Sequence, residues 1–333
     1  MSSARKIGVL LAGSLLERDA SVRAGEAVIA ALRRGGHDVH ALFVDRHVDM
    51  ALRQSGIEVA FLAARGRYGA DGCLQGLLEM LAIPYTGSGV LACGLAMNRA
   101  KTKDVLRLHN LPTAPAYRIR AQQQDCSSEI HGAFGFPAVV RPVGATLLCG
   151  GTLVRDEMEL ESALEDVFGL DDEALVERFL PGKPICVPVL DGRAFGAVQV
   201  CRTGSWTARQ VAGTRGQEIC APARLAPARE ASVQRLATQA YEALGCDGPA
   251  CVEMVVSERF NESIVDVDSV PLLLPGAPLP RMAHEAGVGF DELVEEILAG
   301  ARLRAHGIRR NRRTAPAVFE GPDRRANAAL AAH

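Results

Sequence analysis

The sequence predicts an α/β fold in which a parallel sheet covered by helices is followed by two smaller α+β units. Three observations predict it. The first 85 residues alternate short apolar runs with helical periods, the later chain carries hairpin signals, and 48% hydrophobic residues stand beside only 5% aromatic ones. Wholly apolar runs between helices mark strands buried on both faces. With so few rings, aliphatic side chains and alanine must build the core.

Residues 6–11 read as a continuous apolar strand, and residues 20–34 as a helix stopped by Gly35-Gly36. Further strands are expected over 38–44 and 58–63. Residues 71–82 place Leu74, Leu77, Leu78 and Leu81 on one helical face. After Gly87-Ser88-Gly89 one long helix is expected to about Leu108, and Pro112 and Pro115 then mark a linker. Residues 138–141 read as a strand entering the glycine-bearing loop 144–151. Leu160, Ala163, Leu164 and Val167 mark a helix, and 175–179 the next strand. Runs 185–190 and 194–201 flank Asp191-Gly192, a strong hairpin signal. A helix over 229–244, paired strands over 251–256 and 263–268, and helical patterning over 280–301 complete the reading. The expected segments are 1–112, 113–202, 203–303 and a basic flexible tail, 304–333.

A chain of 333 residues at net charge −2 is not held on nucleic acid by its whole surface. The tail carries seven arginines against Glu320 and Asp323, a net +5, leaving −7 elsewhere. It reads as a solvated tail or as a basic anchor for an acidic partner. Stacking aromatics are missing beside its basic residues, which argues against nucleic acid. No window reaches the roughly 18 uninterrupted apolar residues of a membrane span. Nine scattered cysteines without a Cys-x-x-Cys read as reduced, mostly buried thiols of a cytoplasmic protein.

Chemistry concentrates in three places. If the C-terminal hairpin pairs around a turn near Arg259-Phe260, Glu253 falls opposite Asp266, and the period of two puts Asp268 on the same face. Carboxylates so close repel unless a cation joins them. Magnesium shared with a substrate's phosphates is one remedy, and a solvated hairpin face is the other reading. The loop 142–151 follows a strand that ends at Arg141, which suits a phosphate cover or an ordinary loop. Glu17, Arg18 and Ser21 lie where the first strand hands over to the first helix, the usual ligand edge of an open parallel sheet, or simply cap that helix.

With these pieces in order, residues 6–303 resemble the D-alanine–D-alanine ligase family of the ATP-grasp superfamily. The segments that carry the likeness are 17–21 (ERDAS), 66–72 (GRYGADG) with Gln75-Gly76, 84–89 (PYTGSG) and 176–180 (VERFL). The resemblance implies an ATP-grasp fold, with a parallel-sheet domain and two α+β domains enclosing a nucleotide site. It implies ATP and Mg2+ as cofactors, D-alanine or another amino acid as substrate, and a homodimer. The family reaction is carboxylate–amine ligation through an acylphosphate in peptidoglycan biosynthesis. By resemblance Glu17 and Ser21 serve the first substrate, Glu177 and the backbone of Arg178, Phe179 and Leu180 hold adenine, and Arg99 and Arg141 replace phosphate-binding lysines. Glu253, Asp266 and Asp268 stand at the metal ligands.

Departures cluster at the chemistry. The family's oxyanion arginine is Cys251, and a neutral thiol does not replace a cation; one such donor is worth about 10²–10³ in rate. The loop's Glu-Gly-Ser-Ser reads Ala145-Thr146-Leu147-Leu148, and the tyrosine segment reads Gln210-Val211-Ala212-Gly213. Arg65 stands for a histidine, Pro184 for the ribose glutamate, and Asp268-Ser269-Val270-Pro271-Leu272 for Asn-Thr-x-Pro-Gly. Ligation is therefore expected to be impaired or lost, leaving a nucleotide- or protein-binding paralogue, or else redirected to another substrate.

Overall fold

The computed structural model describes residues 4–11, 18–144, 151–202, 217–257 and 262–304. Residues 1–303 form one compact unit, and the account below concerns that unit alone. Glu17, the loop residues 145–150, the segment 210–213, the hairpin turn at Arg259-Phe260 and residues 305–333 of the tail lie outside the described residues.

The first stretch folds as β1 (Lys6–Leu11), α1 (Arg18–Arg34), β2 (Asp38–Phe43), α2 (Val48–Ser55), β3 (Val59–Leu62), α3 (Cys73–Leu81), α4 (Val90–Met97) and α5 (Arg99–Leu108). Its sheet is parallel in the order β2-β1-β3, as the apolar runs predict. Tyr85 extends it beside Ala60 and is itself bridged by Arg302, so the end of the unit returns to its beginning. The long helix expected up to Leu108 is two helices. Asn98 interrupts it in an extended conformation, φ −102° and ψ 96°, and caps α5 by accepting from the Lys101 amide. A side chain that competes for backbone donors is a helix start signal, and here it outweighs the run of helix formers around it.

The second sheet is antiparallel, in the order β4-β7-β5-β6. Its elements are β4 (Ala116–Arg120), α6 (Ser127–His131), β5 (Ala138–Pro142), β6 (Thr152–Val154), α7 (Glu157–Phe168) and β7 (Glu173–Arg178). Leu160, Ala163, Leu164 and Val167 of α7 pack on its strands, the face that their spacing predicts.

The third sheet is built from β8 (Lys183–Leu190), β9 (Arg193–Ala194), β10 (Val198–Arg202), β11 (Gln217–Cys220), β12 (Pro249–Val256) and β13 (Ser263–Asp268). With it go α8 (Pro227–Ala243), α9 (Pro278–Glu285) and α10 (Phe290–Ala299). Asp191 and Gly192 adopt φ of 48° and 79°, the left-handed pair that a two-residue hairpin demands. The return strand is shorter than expected, because Gly196 at φ 99° breaks it between β9 and β10. β8 pairs with β12 from Lys183↔Val256 to Leu190↔Pro249. An expected boundary at residue 202 therefore cuts through a sheet whose strands come from both sides of it.

Sheet faces decide what is core and what is site. Val187, Val189, Ala250, Val252 and Val267 alternate onto one face and pack with Val233, Leu236, Ala237 and Ala240 of α8. Cys186 and Cys251 belong instead to the cluster that joins β1, α1, α9 and α10. Leu293 of α10 is fully buried in that cluster with Ile7, Val28 and Leu32. Replacing Leu293 by alanine should cost about 2–5 kcal/mol. Thermal and denaturant unfolding check this, and an unchanged midpoint would show that α10 is not part of the first sheet's core.

Candidate functional site

The break at Asn98 sets the geometry of the centre. It restarts the helix at Arg99, so Arg99 and Lys103 lie one turn apart on one face, and both are buried. The Arg99 Nε donates to Asp266 Oδ2 at 2.7 Å and its Nη1 to the Pro142 carbonyl at 2.7 Å. The Lys103 Nζ lies 2.6 Å from Glu177 Oε1 and donates to the Thr113 hydroxyl at 2.8 Å. On the other carboxylate oxygen of Glu177, the Arg141 Nε stands at 2.8 Å. Both side chains of the Arg99–Asp266 pair are nearly inaccessible, 1% and 3% exposed. Five charged groups from α5, β5, β7 and β13 thus meet in one buried place.

A second pair lies beside it on the hairpin. Arg65 follows β3, in a loop kept tight by Gly69, where a Cβ would stand 2.7 Å from the Ala64 backbone. Its guanidinium donates to Asp268 Oδ2 at 2.9 Å and to the Val270 carbonyl. Asp268 Oδ1 accepts from the Val270 amide at 3.0 Å, and Asp266 Oδ1 from the Val267 amide at 3.0 Å.

Burial and charge oppose one another here. Burial alone would push the Glu177 carboxyl up, but Arg141 and Lys103 outweigh it and hold the group below the usual carboxylate range. Asp266 goes the other way. Burial raises it, and the cations of Arg99 and Arg141 oppose that rise without cancelling it.

The register of the hairpin is as the spacing predicts near its end, with Glu253↔Asp266 and Cys251↔Asp268. A bulge after Glu253 then shifts it, so that Met254 pairs with Ile264. The aspartates face arginines rather than one another. Among the described residues no three His, Cys, Asp or Glu side chains group as a metal would need. Cys251 is buried next to Cys186, whose thiol is pushed up first by the hydrogen bond with Cys251 and then by burial.

Other expected residues have different surroundings. The Ser21 hydroxyl is fully buried and donates to the Ala63 carbonyl at 2.8 Å, a bond that ties α1 to the end of β3. The Arg178 amide donates to the Pro115 carbonyl at 3.0 Å and the Phe179 amide to Pro137 at 3.2 Å. The Arg178 side chain lies over the Phe134 ring, 5.2 Å from its centroid. Beyond Phe179 the chain passes through Leu180 towards β8. Sequence reasoning overlooked Lys103. Its signal was the spacing of four from Arg99, already present in the long helix expected up to Leu108.

The comparisons decide the family. Residues 108–299 match the family described as D-ala D-ala ligase C-terminus. A D-alanine–D-alanine ligase of Syntrophotalea carbinolica is 40% identical over 301 residues, covering 90% of this chain and 97% of that protein. The chain belongs to the D-alanine–D-alanine ligase family. The ligase of Geobacter sulfurreducens is 39% identical over 309 residues, covering 91% of this chain and 96% of its own. Among solved structures, the D-alanine–D-alanine ligase of Bacillus anthracis complexed with ATP superposes with a TM-score of 0.77 at 27% identity, covering 89% of this chain and 97% of that one. A D-Ala:D-Ser ligase of Enterococcus faecalis has the same fold, with a TM-score of 0.78 at 20% identity over 89% and 99% of the two chains. The fold is therefore ATP-grasp. This family binds ATP, and magnesium is usual for it.

The donor set at Asp266 and Asp268 does not fit magnesium as it stands. That ion needs near-octahedral oxygens about 2.0–2.1 Å away and keeps several waters. Each aspartate here already accepts from a guanidinium on one oxygen and an amide on the other.

Removing the Glu177 charge tests the buried network. Glu177→Gln leaves Lys103 and Arg141 without their shared carboxylate, and should cost about 3–5 kcal/mol at neutral pH. Because the folded-state value of Glu177 is depressed, its contribution is present above the unfolded carboxylate range and is lost as pH falls through the folded value. The gap between parent and variant should therefore close on acidification. Denaturant titrations over a pH series check it, and a gap independent of pH would show that Glu177 is not the stabilising anion.

Proposed function

We propose that this family member binds ATP at the cluster of Arg99, Lys103, Arg141 and Glu177 and makes D-alanyl-D-alanine poorly or not at all. One observation carries the reading. Cys251, at the position that the resemblance gives to the oxyanion cation, is buried in an apolar cluster with Cys186, Leu273 and Leu279. A thiol so placed offers no fixed positive charge to a developing oxyanion. The cations that remain surround the place suited to phosphates rather than to an acyl centre. The roles of Glu17 and Ser21 at a first substrate, of the Arg178–Leu180 backbone at adenine, and of Glu253 near the hairpin carboxylates belong to the same proposal.

A second reading is ligation of another acid and amine. Identity of 40% spread over 90% of the chain supports it, since drift without any selected chemistry erodes such likeness. In that case a role in peptidoglycan precursor synthesis would follow from the family. We place the protein in the cytoplasm. Among the described residues no helix is long and apolar enough to cross a membrane, and Cys73, Cys93, Cys186, Cys220, Cys246 and Cys251 are free thiols. The homodimer that the resemblance implies belongs to the same proposal. Light scattering at the 35.4 kDa of one chain would overturn the dimer.

Titration calorimetry with Mg·ATP should show binding, and phosphate release should stay at background when D-alanine is added. Cys251→Arg should not restore turnover, because Leu272 still stands where the resemblance expects glycine, and misplacement of about 1 Å costs about 10² in rate. D-alanine-dependent release at ordinary family rates in the parent would refute the loss. Strong activity in the single variant would show that Cys251 alone was limiting.

A further inference from the structure

We infer that Arg65 and Arg99 take the electrostatic place of a divalent cation in this chain, so that ATP binds with an affinity nearly independent of magnesium. The inference rests on the nucleotide reading above and goes beyond it by assigning the charge balance to the protein's own side chains.

The argument starts from the hairpin. Asp266 and Asp268 are two residues apart on β13 and share a face. Left alone they would repel one another, and a metal ion between them would be the usual relief. Here the relief is already supplied. Arg99 reaches Asp266 from α5, and Arg65 reaches Asp268 from the loop after β3. Neither guanidinium is a surface group that happens to lie near, since the side chains are 1% and 2% exposed. Each is fixed by a second bond, to the carbonyls of Pro142 and Val270.

A guanidinium stays charged over the whole physiological range and does not leave as a hydrated ion can. Magnesium entering at either aspartate would have to displace an arginine into a dry interior or stand beside its charge. Both are unfavourable. With each aspartate oxygen already accepting a hydrogen bond, a metal carried in on the nucleotide must compete with guanidinium and amide donors for them. A metal that makes no differential contact with the protein cannot raise nucleotide affinity, because coupling between two ligands is reciprocal. Lys103 and Arg141 meanwhile face Glu177 in the same cluster and supply fixed positive charge whether or not magnesium accompanies the nucleotide.

The experiment is calorimetry of the full chain with ATP, once in excess EDTA and once in excess magnesium. The expected result is dissociation constants within about threefold of one another. Tightening beyond about threefold by magnesium overturns the inference. An absence of heat in both buffers overturns the nucleotide reading itself, which separates the two failures. Arg65→Gln supplies the second measurement. Freed of its guanidinium, Asp268 should let magnesium tighten ATP binding by about tenfold. Paramagnetic titration with Mn2+ alone should show a site in this variant and none in the parent. A folded variant with the parent's indifference to both metals overturns the role of Arg65. Where the variant does not fold, the parent's two titrations decide the matter.

Discussion

Carboxylates withdrawn from water must be answered by cations, and that requirement organises the centre of the molecule. Glu177 and Asp266 are 3% and 2% exposed. Neither could be buried ionised without a fixed counter-charge. The answering groups come from separated stretches, with Arg99 and Lys103 on α5, Arg141 on β5 and Arg65 after β3. The pairs therefore tie the parallel sheet's connections, the second sheet and the hairpin to one arrangement. Apolar packing tolerates small slides between elements. An ion pair at 2.6–2.8 Å inside a dry interior does not.

The same requirement explains why arginine rather than lysine suits two of these places. Arg99 spans from Asp266 to the Pro142 carbonyl and so fixes β13 relative to the end of β5. A single ammonium holds a point, whereas a planar fork holds an orientation. Lys103 keeps the point-like role and satisfies Glu177 and the Thr113 hydroxyl together. The difference in shape also reassigns what the carboxylates can do. Once an oxygen of each aspartate is held by a guanidinium, the pair works as internal anions first, and any ligand must compete with the protein for them.

Much of this was legible from residues alone. The parallel sheet followed from apolar runs, the turn at Asp191-Gly192 from its dipeptide, and the register Glu253↔Asp266 from spacing. The break at Asn98 was not seen, because a single capping side chain had to outweigh a run of strong helix formers. Lys103 was overlooked although its spacing of four from Arg99 puts the two on one helix face. The pairing across residue 202 was hidden for a different reason. Local pattern shows that β8 and β10 are strands, but not that β8's long partner is β12, dozens of residues later. The roles of the carboxylates were open in sequence, since spacing brings like charges together without naming what answers them.

Position 251 and Arg65 belong to one electrostatic account. The register sets Cys251 directly across from Asp268, and Asp268 is the carboxylate that Arg65 holds. The resemblance expects a cation at 251 and a histidine at 65, so a fixed charge is absent from β12 and present in the loop after β3. With a guanidinium at both places, two like charges would crowd one aspartate. With neither, Asp268 would keep only its amide partner from Val270. The loss and the gain are thus mutually consistent, and the hairpin keeps its charge balance while the cation moves from the strand that bears Glu253 to a loop 2.9 Å from the carboxylate on β13. Restoring arginine at 251 alone adds charge to a place already compensated.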